Sequence, residues 1–377
     1  MVNQYNKTAK YIWQHNDWPH MTVDMHALAG LVAETNMLRG KLMGRISMFG
    51  FEEQNASLLE TMTSEIVHSS KIEGQELNHD SVRSSLATQL GLEYDGLPIT
   101  DHYVEGVVQV MLDATHNCNK PLTKERLFDW HCALFPNGHS GMYKIDVGKW
   151  REGEGAMQVV SGAMGKERVH YEAPPSADVP RLMSDLLQWI ETTNTTDPLV
   201  KAAIAHLWFV TIHPFDDGNG RLCRTITEML LSRADNTEKR YYSLSSQILK
   251  NRKSYYDYLE HAQKGDMDIT EWVGWFLSTL KNAINVALTR TESVVHKRQF
   301  WNQHEDTPLN ERQRKIINKL FDGFEGKLNS SKWYKICHCS QDTATRDLND
   351  LVNKGILRKT DNGGRNTCYE LIELNDN

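Results

Sequence analysis

One stretch of the chain joins an apolar helix to a polar, glycine-rich turn, and this junction constrains the fold more than any other feature. Residues 202–212, AAIAHLWFVTI, are apolar on every face of a helix, which predicts a helix buried in a core. The next twelve residues, HPFDDGNGRLCR, carry one imidazole, two carboxylates, an amide and two guanidiniums. A solvated turn explains residues 216–220, because Asp, Gly and Asn are common turn residues. It does not explain His213 before a rigid proline, or Arg221 and Arg224 three positions apart on the next predicted helix.

Length and composition are those of a globular protein. The chain has 377 residues, of which 40% are hydrophobic and 24% charged, and its formal net charge is −7. The length predicts two or three domains, and the negative charge argues against coating nucleic acid through bulk electrostatics. The six cysteines form no disulfide framework, and the start of the chain lacks an apolar signal core. Since residues 202–212 are also too short to span a bilayer, we expect a cytoplasmic protein with no membrane contact.

Hydrophobic periodicity predicts a mainly α fold in three parts. Residues 1–96 form an N-terminal helical region, in which the apolar residues over 54–72 follow helical spacing. Residues 97–300 contain further amphipathic helices and, within 138–175, two β-prone pieces that predict a hairpin. Residues 308–377 have the pattern of three helices, a glycine turn and two short strands, which is typical of a winged helix.

The backbone of the polar turn suits an anion. A helix that begins near Gly218 or Gly220 presents free N–H groups and the positive end of its dipole. The two glycines let a phosphate approach the backbone closely. Arg221 and Arg224 lie on adjacent turns of that helix and supply bidentate donors for further phosphoryl oxygens.

The side chains of the same turn suit chemistry at that phosphate. A carboxylate at position 216 or 217 is the hard oxygen ligand that Mg²⁺ takes between two phosphates. His213 is the one group of the turn that titrates near neutrality, so it is the natural base for a hydroxyl nucleophile. The pattern therefore predicts transfer of a phosphoryl-linked group, and the absence of a G-x-x-x-x-G-K-[ST] sequence excludes a P-loop enzyme.

The turn HPFDDGNGRLCR resembles the signature of Fic-domain proteins, HPFx[DE]GNGRxxR, with every specified position matched. The resemblance covers roughly residues 97–300 and implies a helical core with a β-hairpin flap that docks the target. It implies transfer of AMP from ATP to a Ser, Thr or Tyr hydroxyl of a target protein, with release of pyrophosphate. In that reaction His213 is the general base and Asp217 the Mg²⁺ ligand.

The resemblance also implies a set of nucleotide-binding residues. They are the anion-binding turn Gly218, Asn219 and Gly220, the phosphate-binding Arg221 and Arg224, and Asn251. Asn251 is the looser match, and a capping asparagine beside core tyrosines explains it equally well. Gly220 stands where phosphate-transferring Doc-like relatives carry lysine, which counts against phosphotransfer. Transfer of UMP or phosphocholine, and removal of AMP by the same site, stay open.

A second short motif lies before the predicted core. Residues 69–74, SSKIEG, resemble the family's autoinhibitory motif [ST]xxxE[GN], and Ser69 and Glu73 share one helix face. Its position before the core is that of the subgroup with an N-terminal inhibitory helix. The resemblance implies that Glu73 pairs with Arg224 and so prevents the γ-phosphate of ATP from binding in its productive position.

Several other residues receive structural interpretations. We expect His206 to be a packed, hydrogen-bonded histidine, Arg151 to be structural and Asp216 to be a solvated turn residue. The sequence IWQHNDWPHMTVD near the N-terminus resembles a lead segment found on some Fic proteins, and no chemistry attaches to it.

The C-terminal module supports an alternative function. In this alternative the chain is a nucleotide-sensing transcriptional regulator that binds duplex DNA through the winged helix. The contacts would come from exposed Thr343, Thr345 and Arg346 and from Arg365 in the wing. The complete catalytic motif favours the enzyme. A homodimer stays open as a further assembly.

Overall fold

The computed structural model describes most of the chain, namely residues 9–92, 101–161, 168–194, 196–321, 324, 326–360 and 367–372. Within these ranges the protein is mainly α-helical with small antiparallel hairpins, which confirms the predicted fold class. Contacts divide the chain into two units, residues 1–287 and 288–377. The division into three parts expected from the sequence stays a prediction. None of the described helices combines the length and the apolar character needed to cross a membrane.

The first unit begins with a 3₁₀ turn at Ile12–Gln14 and is otherwise built mainly from helices. They are α1 (Met25–Ser47), α2 (Phe51–Ile72), α3 (His79–Leu90), α4 (His102–His116), α5 (Lys124–Leu134), α6 (Val179–Thr192), α7 (Pro198–Ile212), α8 (Asn219–Asp235), α9 (Leu244–Lys250) and α10 (Arg252–Lys264). Helix α11 (Thr270–Gln303) contains residues of both units. Between α5 and α6 lie two hairpins, β1 (His139–Ser140) with β2 (Tyr143–Lys144), and β3 (Gln158–Ser161) with β4 (Arg168–Glu172).

Helix α7 lies at the centre of the first unit's core. Its start is fixed by Asp197, whose carboxylate accepts hydrogen bonds from the N–H groups of Leu199 and Val200. From Leu199 to Ile212 every residue except Lys201 is buried, as the all-round apolar pattern predicts. Helix α8 packs along α7, so the connection between them starts and ends at rigid elements.

Helix α2 is tied to the core by its polar residues as well as its apolar stripe. Leu58, Met62 and Ile66 are buried, as their spacing predicts. The buried Glu65 carboxylate accepts hydrogen bonds from the Ser243 hydroxyl (2.7 Å) and the Ser245 N–H (3.0 Å) at the start of α9. This carboxylate caps α9 and fixes the position of α2 along it.

The hairpin predicted within residues 138–175 is confirmed in its strands. β3 and β4 are antiparallel, with Val159 opposite Tyr171, and the turn predicted at 162–165 lies outside the described residues. Tyr171 is buried, and its hydroxyl donates to the carbonyl of Thr211 at 2.7 Å, near the end of α7. The short hairpin β1–β2 was not predicted.

The second unit has a core of its own around Trp333 and Leu348. Its described elements are α12 (Glu311–Phe321), α13 (Ser330–Cys337), α14 (Gln341–Asn353), β5 (Leu357–Thr360) and β6 (Cys368–Leu371). Ser340 caps α14 by accepting from the N–H of Thr343. The winged-helix assignment and the DNA contact stay predictions.

Among the residues expected to contact DNA, Thr345 and Arg346 are exposed on α14 and Thr343 is partly exposed. The Thr343 hydroxyl lies 2.9 Å from the capping hydroxyl of Ser340. Arg365 lies outside the described residues.

Candidate active site

One asparagine makes two hydrogen bonds within the polar turn. The Asn219 carboxamide accepts from the N–H of Phe215 (2.9 Å) and donates to its carbonyl (2.7 Å), so both polar atoms are used within the turn. Gly218 has φ 83°, and a Cβ there would lie 2.8 Å from the Phe135 ring. Only glycine therefore combines this backbone conformation with this close approach.

His213 ends α7 with its ring in a defined tautomer. Its Nδ1 lies 3.2 Å from the carbonyl of Val210, and because a carbonyl can only accept, Nδ1 carries the proton. The lone pair is therefore on Nε2. Burial lowers the pKa of His213 below its ordinary value, which favours the neutral ring, and the residue keeps partial exposure. A neutral, partly exposed imidazole can accept a proton.

Arg151 fixes the backbone that carries His213. It is buried, and its Nε donates to the His213 carbonyl (2.7 Å), while its own N–H donates to the Pro214 carbonyl (2.9 Å). A second guanidinium nitrogen donates to the Pro174 carbonyl at 2.5 Å. The structural role expected for Arg151 is confirmed, since it joins the turn to the chain that follows β4.

Asp217 presents a carboxylate whose side chain is 42% exposed. One oxygen accepts from the N–H of Gly218 (2.6 Å), and the other accepts from the Ser140 hydroxyl (2.5 Å). Within the described residues no cluster of three or more His, Cys, Asp or Glu side chains forms a metal site. A lone, partly exposed carboxylate fits Mg²⁺, which keeps several waters and takes its other ligands from substrate phosphates.

A histidine that sequence reasoning missed, His131, bonds to the backbone carbonyl of Asp217. His131 of α5 is fully buried and stacks on Phe215 at 4.2 Å. Its Nδ1 accepts from the N–H of Gly148 (3.1 Å), so its Nε2 donates to the Asp217 carbonyl (3.1 Å). Burial lowers the pKa of His131 to about 4 and keeps it neutral. No spacing relation links position 131 to the turn, so the sequence offers no signal for it.

The expectation that Asp216 is a simple solvated turn residue is wrong. Its carboxylate accepts from the N–H of Asp146 at 3.0 Å, and the residue is only partly exposed. It therefore ties the turn to the loop after β2. This is a structural bond that the sequence did not predict.

Arg224 is buried and is held by Ser69 of α2 and by Glu73, which follows the last residue of that helix. Its Nη1 lies 2.8 Å from Glu73 Oε1, while its Nε and Nη2 donate to the hydroxyl and the carbonyl of Ser69, both at 2.8 Å. Burial alone would lower the pKa of Arg224, but the negative charge of Glu73 raises it, so the guanidinium stays charged. The contact expected between Glu73 and Arg224 is present.

Glu73 also lies against the first turn of α8. A Cβ added at Gly220 would clash with Glu73 Oε1, so the glycine makes room for this carboxylate. The N-terminal turn of a helix favours an anion through its free N–H groups and its dipole. The Glu73 carboxylate thus lies beside the place that the sequence predicts for a phosphate.

Arg221 is held by residues that sequence reasoning missed. Its Nη1 donates to the side-chain oxygen of Gln75 (2.8 Å) and to the Tyr103 hydroxyl (2.6 Å). Its guanidinium lies 4.8 Å from the centre of the Phe135 ring, and its Nη2 is 3.7 Å from Asp217 Oδ2. Gln75 follows Glu73 by two residues, so the same chain segment reaches both arginines of the turn.

Two further predicted residues have clear surroundings. His206 is buried and bonds to the hydroxyls of Thr227 and Tyr255, both at 2.9 Å, which confirms a packed histidine. Asn251 lies exposed between α9 and α10, and its amide donates to the Gln247 carbonyl at 3.3 Å. This is the helix-end position of the capping interpretation, and the nucleotide contact stays a prediction.

The class of protein follows from comparison with known families and folds. A sequence profile described as the Fic/DOC family matches residues 121–231, which contain the whole turn. A second profile, described as a domain of unknown function (DUF4172), matches residues 11–92, which contain Glu73. The chain therefore contains a Fic domain, and a helical region precedes it.

Relatives and solved structures agree with this assignment. The protein adenylyltransferases Fic of Culex quinquefasciatus and Aedes aegypti are 29% and 28% identical over 237 residues, 61% of this chain. The chain spans 42% of the length of these curated relatives. A Fic family protein from Desulfovibrio desulfuricans has a similar fold, with a TM-score of 0.53 and 24% identity over 95% of this chain and 99% of the other. A Fic domain containing signaling protein from Bacteroides thetaiotaomicron has a TM-score of 0.51 and 16% identity, over 69% of this chain and 98% of the other.

Proposed function

We propose that this protein is an autoinhibited adenylyltransferase that moves AMP from ATP to a Ser, Thr or Tyr hydroxyl of a target protein. The observation that carries the proposal is the pairing of a neutral His213, with its Nε2 lone pair free to act, with a glycine-lined helix N-terminus and two arginines. Relatives named protein adenylyltransferase support the same reaction.

His213 acts as the general base that takes the proton of the target hydroxyl. The target hydroxyl oxygen attacks the α-phosphorus of ATP as Nε2 takes the hydroxyl proton, and the bond to the β-phosphate oxygen breaks to release pyrophosphate. The Nδ1 bond to Val210 and the Arg151 bond to the His213 carbonyl keep the ring oriented throughout. General-base residues of this kind contribute about 10²–10⁴ in rate.

The arginines and the first turn of α8 hold the phosphates. Gly218, Asn219 and Gly220 form the turn at which the phosphates bind, because the first N–H groups of a helix lack intrahelical partners and can donate hydrogen bonds to phosphate oxygens. Arg221 and Arg224 then bind phosphoryl oxygens in the fork geometry of a guanidinium. Asn251 completes the set at the nucleotide. Asp217 would hold a Mg²⁺ ion, which when bound neutralises phosphate charge and orients the phosphates.

Glu73 restrains this reaction in the state described. We define residues 69–75 as the inhibitory segment. Its Glu73 and Ser69 contact the Nη1, Nε and Nη2 atoms of Arg224, so every guanidinium nitrogen contacts this segment. A γ-phosphate cannot be oriented by an arginine that is already paired, so the α-phosphate binds out of line for attack.

The hairpin β3–β4 suits the acceptor protein. It is a two-stranded sheet, and an extended target segment can add to the edge of such a sheet through backbone hydrogen bonds. This mode carries little side-chain information and therefore fits a range of targets.

Labelled nucleotides test the reaction and its base specificity together. The Glu73→Gly protein is incubated with labelled ATP, GTP, UTP or CTP and a cell lysate, and labelled protein bands are counted. Label from ATP at the α-phosphate but not the γ-phosphate supports adenylyl transfer. Label from the γ-phosphate would mean phosphotransfer, and label from none of the four would remove the proposal. The Glu73→Gly/His213→Ala protein is the matched control and should give no bands.

A further inference from the structure

The segment before α1 packs directly on the hairpin and is not explained by the catalytic site. We call residues 11–24 the lead segment; it lies within the part matched by a domain of unknown function. Its first turn is fixed by Gln14, whose side-chain oxygen accepts from the N–H groups of Lys10 and Tyr11 at 2.8 and 3.1 Å. Tyr11 and Ile12 are 2% and 0% exposed, so this turn is part of the core.

Two aromatic residues of the lead segment contact β4. The Trp13 indole N–H donates to the carbonyl of Glu172 at 2.9 Å, at the last residue of the strand. The Tyr11 ring meets the Tyr171 ring edge to face, with centroids 5.2 Å apart. Met157 and Val159, which precede and form β3, pack on the same small cluster. The lead segment therefore holds both strands of the hairpin at their base.

The residues that it holds are themselves bonded to the backbone beside the catalytic base. Tyr171 donates through its hydroxyl to the Thr211 carbonyl, two residues before His213. Arg151 donates to the carbonyl of Pro174, just after β4, and to the carbonyl of His213. A displacement of β4 would therefore change the distance between the hairpin and His213.

The far end of the lead segment is anchored to other helices. Trp18 packs edge to face on Trp208 of α7, with ring centroids 6.1 Å apart. Thr22 exchanges backbone hydrogen bonds with the chain before α11, donating to Met267 (2.7 Å) and accepting from Ile269 (3.0 Å). The segment thus contacts the hairpin near its start, through Tyr11 and Trp13, and is anchored to other helices near its end, through Trp18 and Thr22.

We infer that the lead segment is a brace that sets the position of the hairpin over His213, with Tyr11 and Trp13 as positioning residues for the acceptor protein. The inference rests on the proposed function for the role of the acceptor, but the brace itself is a property of the fold. Misplacement of a reacting group by about 1 Å can cost on the order of 10²-fold in rate. Loss of a rigid hairpin should therefore lower the rate of AMP transfer more than it lowers the affinity for ATP.

The test is amide hydrogen exchange on the full-length protein, with Trp13→Phe as the mild variant. Trp13→Phe keeps an aromatic ring and removes the N–H that bonds Glu172. Loss of one hydrogen bond should speed exchange across residues 168–173 about fivefold and leave α8 unchanged. Tyr11→Ala removes a buried ring and should speed exchange there more than about 100-fold. The Ala173 N–H, which donates to the Met157 carbonyl at 2.9 Å, is the most direct reporter.

Trp18→Phe is the matched control. Trp18 belongs to the same segment and is also half-buried, but its indole N–H has no hydrogen-bond partner among the described residues. Exchange over 168–173 should be the same in Trp18→Phe and wild type. Equal acceleration in both tryptophan variants would mean general loosening, and no acceleration in Trp13→Phe would overturn the brace.

Activity is the second measurement. In the Glu73→Gly background, Trp13→Phe should lower the rate of self-modification several-fold at saturating ATP and leave the Kd for ATP unchanged. Faster hairpin exchange with an unchanged transfer rate would overturn the role in acceptor alignment. A weaker ATP affinity would overturn it as well, because the effect would then lie at the nucleotide. If Glu73→Gly shows no transfer at all, the proposed function fails, while hydrogen exchange still decides the brace.

Discussion

The catalytic turn, residues 213–224, and the inhibitory segment, residues 69–75, meet at two arginines but are built in different ways. The turn makes hydrogen bonds of its own, between Asn219 and Phe215 and between His213 and Val210. Arg151 and His131 add bonds to its backbone carbonyls. The inhibitory segment reaches the same place from more than 130 residues away, through Glu73, Ser69 and Gln75. The hydrogen bonds and the ion pair of the segment reach the arginine side chains of the turn, so we expect that it can regulate the turn without being needed to build it. Substitutions in the turn should therefore abolish transfer, and substitutions in the segment should increase it.

The largest expected effect is loss of the base. His213→Ala in the Glu73→Gly background should lower AMP transfer by about 10²–10⁴, because no other group of the turn takes the hydroxyl proton. ATP binding should persist, since His213 is not among the phosphate ligands. Single-turnover transfer and calorimetric ATP titration measure the two quantities. Transfer near the rate of the parent protein would remove His213 from the mechanism.

The second effect has the opposite sign and comes from the segment. Glu73→Gly should raise self-modification by about 10²-fold, because freed Arg224 can orient the γ-phosphate and bring the α-phosphate into line. Adding Arg224→Ala should cancel the gain, so the two changes should be strongly non-additive. Equal rates for wild type and Glu73→Gly, at matched protein and ATP, would contradict the restraint. Glu76→Gly, at a neighbouring exposed carboxylate that pairs with Lys71 instead, is the control and should leave the rate unchanged.

The third effect returns to the turn and concerns the metal. Asp217→Asn keeps the shape of the side chain but removes its charge, so half-maximal activity should need about 10–100-fold more Mg²⁺. Asp216→Asn is the matched control, because Asp216 accepts from the N–H of Asp146 and an amide oxygen can do the same. An unchanged Mg²⁺ requirement in Asp217→Asn, or an equal shift in both variants, would move the metal away from Asp217.

Much of the fold and part of the site could be predicted from the sequence. Helices α2, α6 and α8 have apolar periodicity, and α7 is apolar on every face. The twelve residues of the turn carry their groups within one continuous stretch. The contact between Glu73 and Arg224 was also expected, but from resemblance to a known motif. Spacing alone would not have given it, because Glu73 follows α2 and Arg224 lies in α8, far along the chain.

The residues that sequence reasoning missed share one property. His131, Ser140, Gln75 and Tyr103 are neutral side chains that orient a charged residue or a backbone group of the turn from elsewhere in the chain. No local spacing encodes such a contact, since it exists only once α4, α5 and the inhibitory segment have packed. Asp216 was misjudged for the same reason, because its partner, Asp146, lies in a separate loop.

The smallest effect is the pH dependence of the general base in the catalytic turn. Burial lowers the pKa of His213 below the model-compound value of 6.5, and the charge of Arg151 adds to the shift, although the bond to Val210 opposes it. A general base is active when neutral, so transfer should fall only as pH drops below 6.5, and more than half of the maximum should remain at pH 6.5. Because ATP also titrates in this range, the imidazole itself should be followed by NMR in the free protein, with His213→Ala identifying its signal. A His213 pKa at or above 6.5 would mean that burial does not control the ring, and the neutral imidazole on which the proposed transfer depends would then form only at a higher pH.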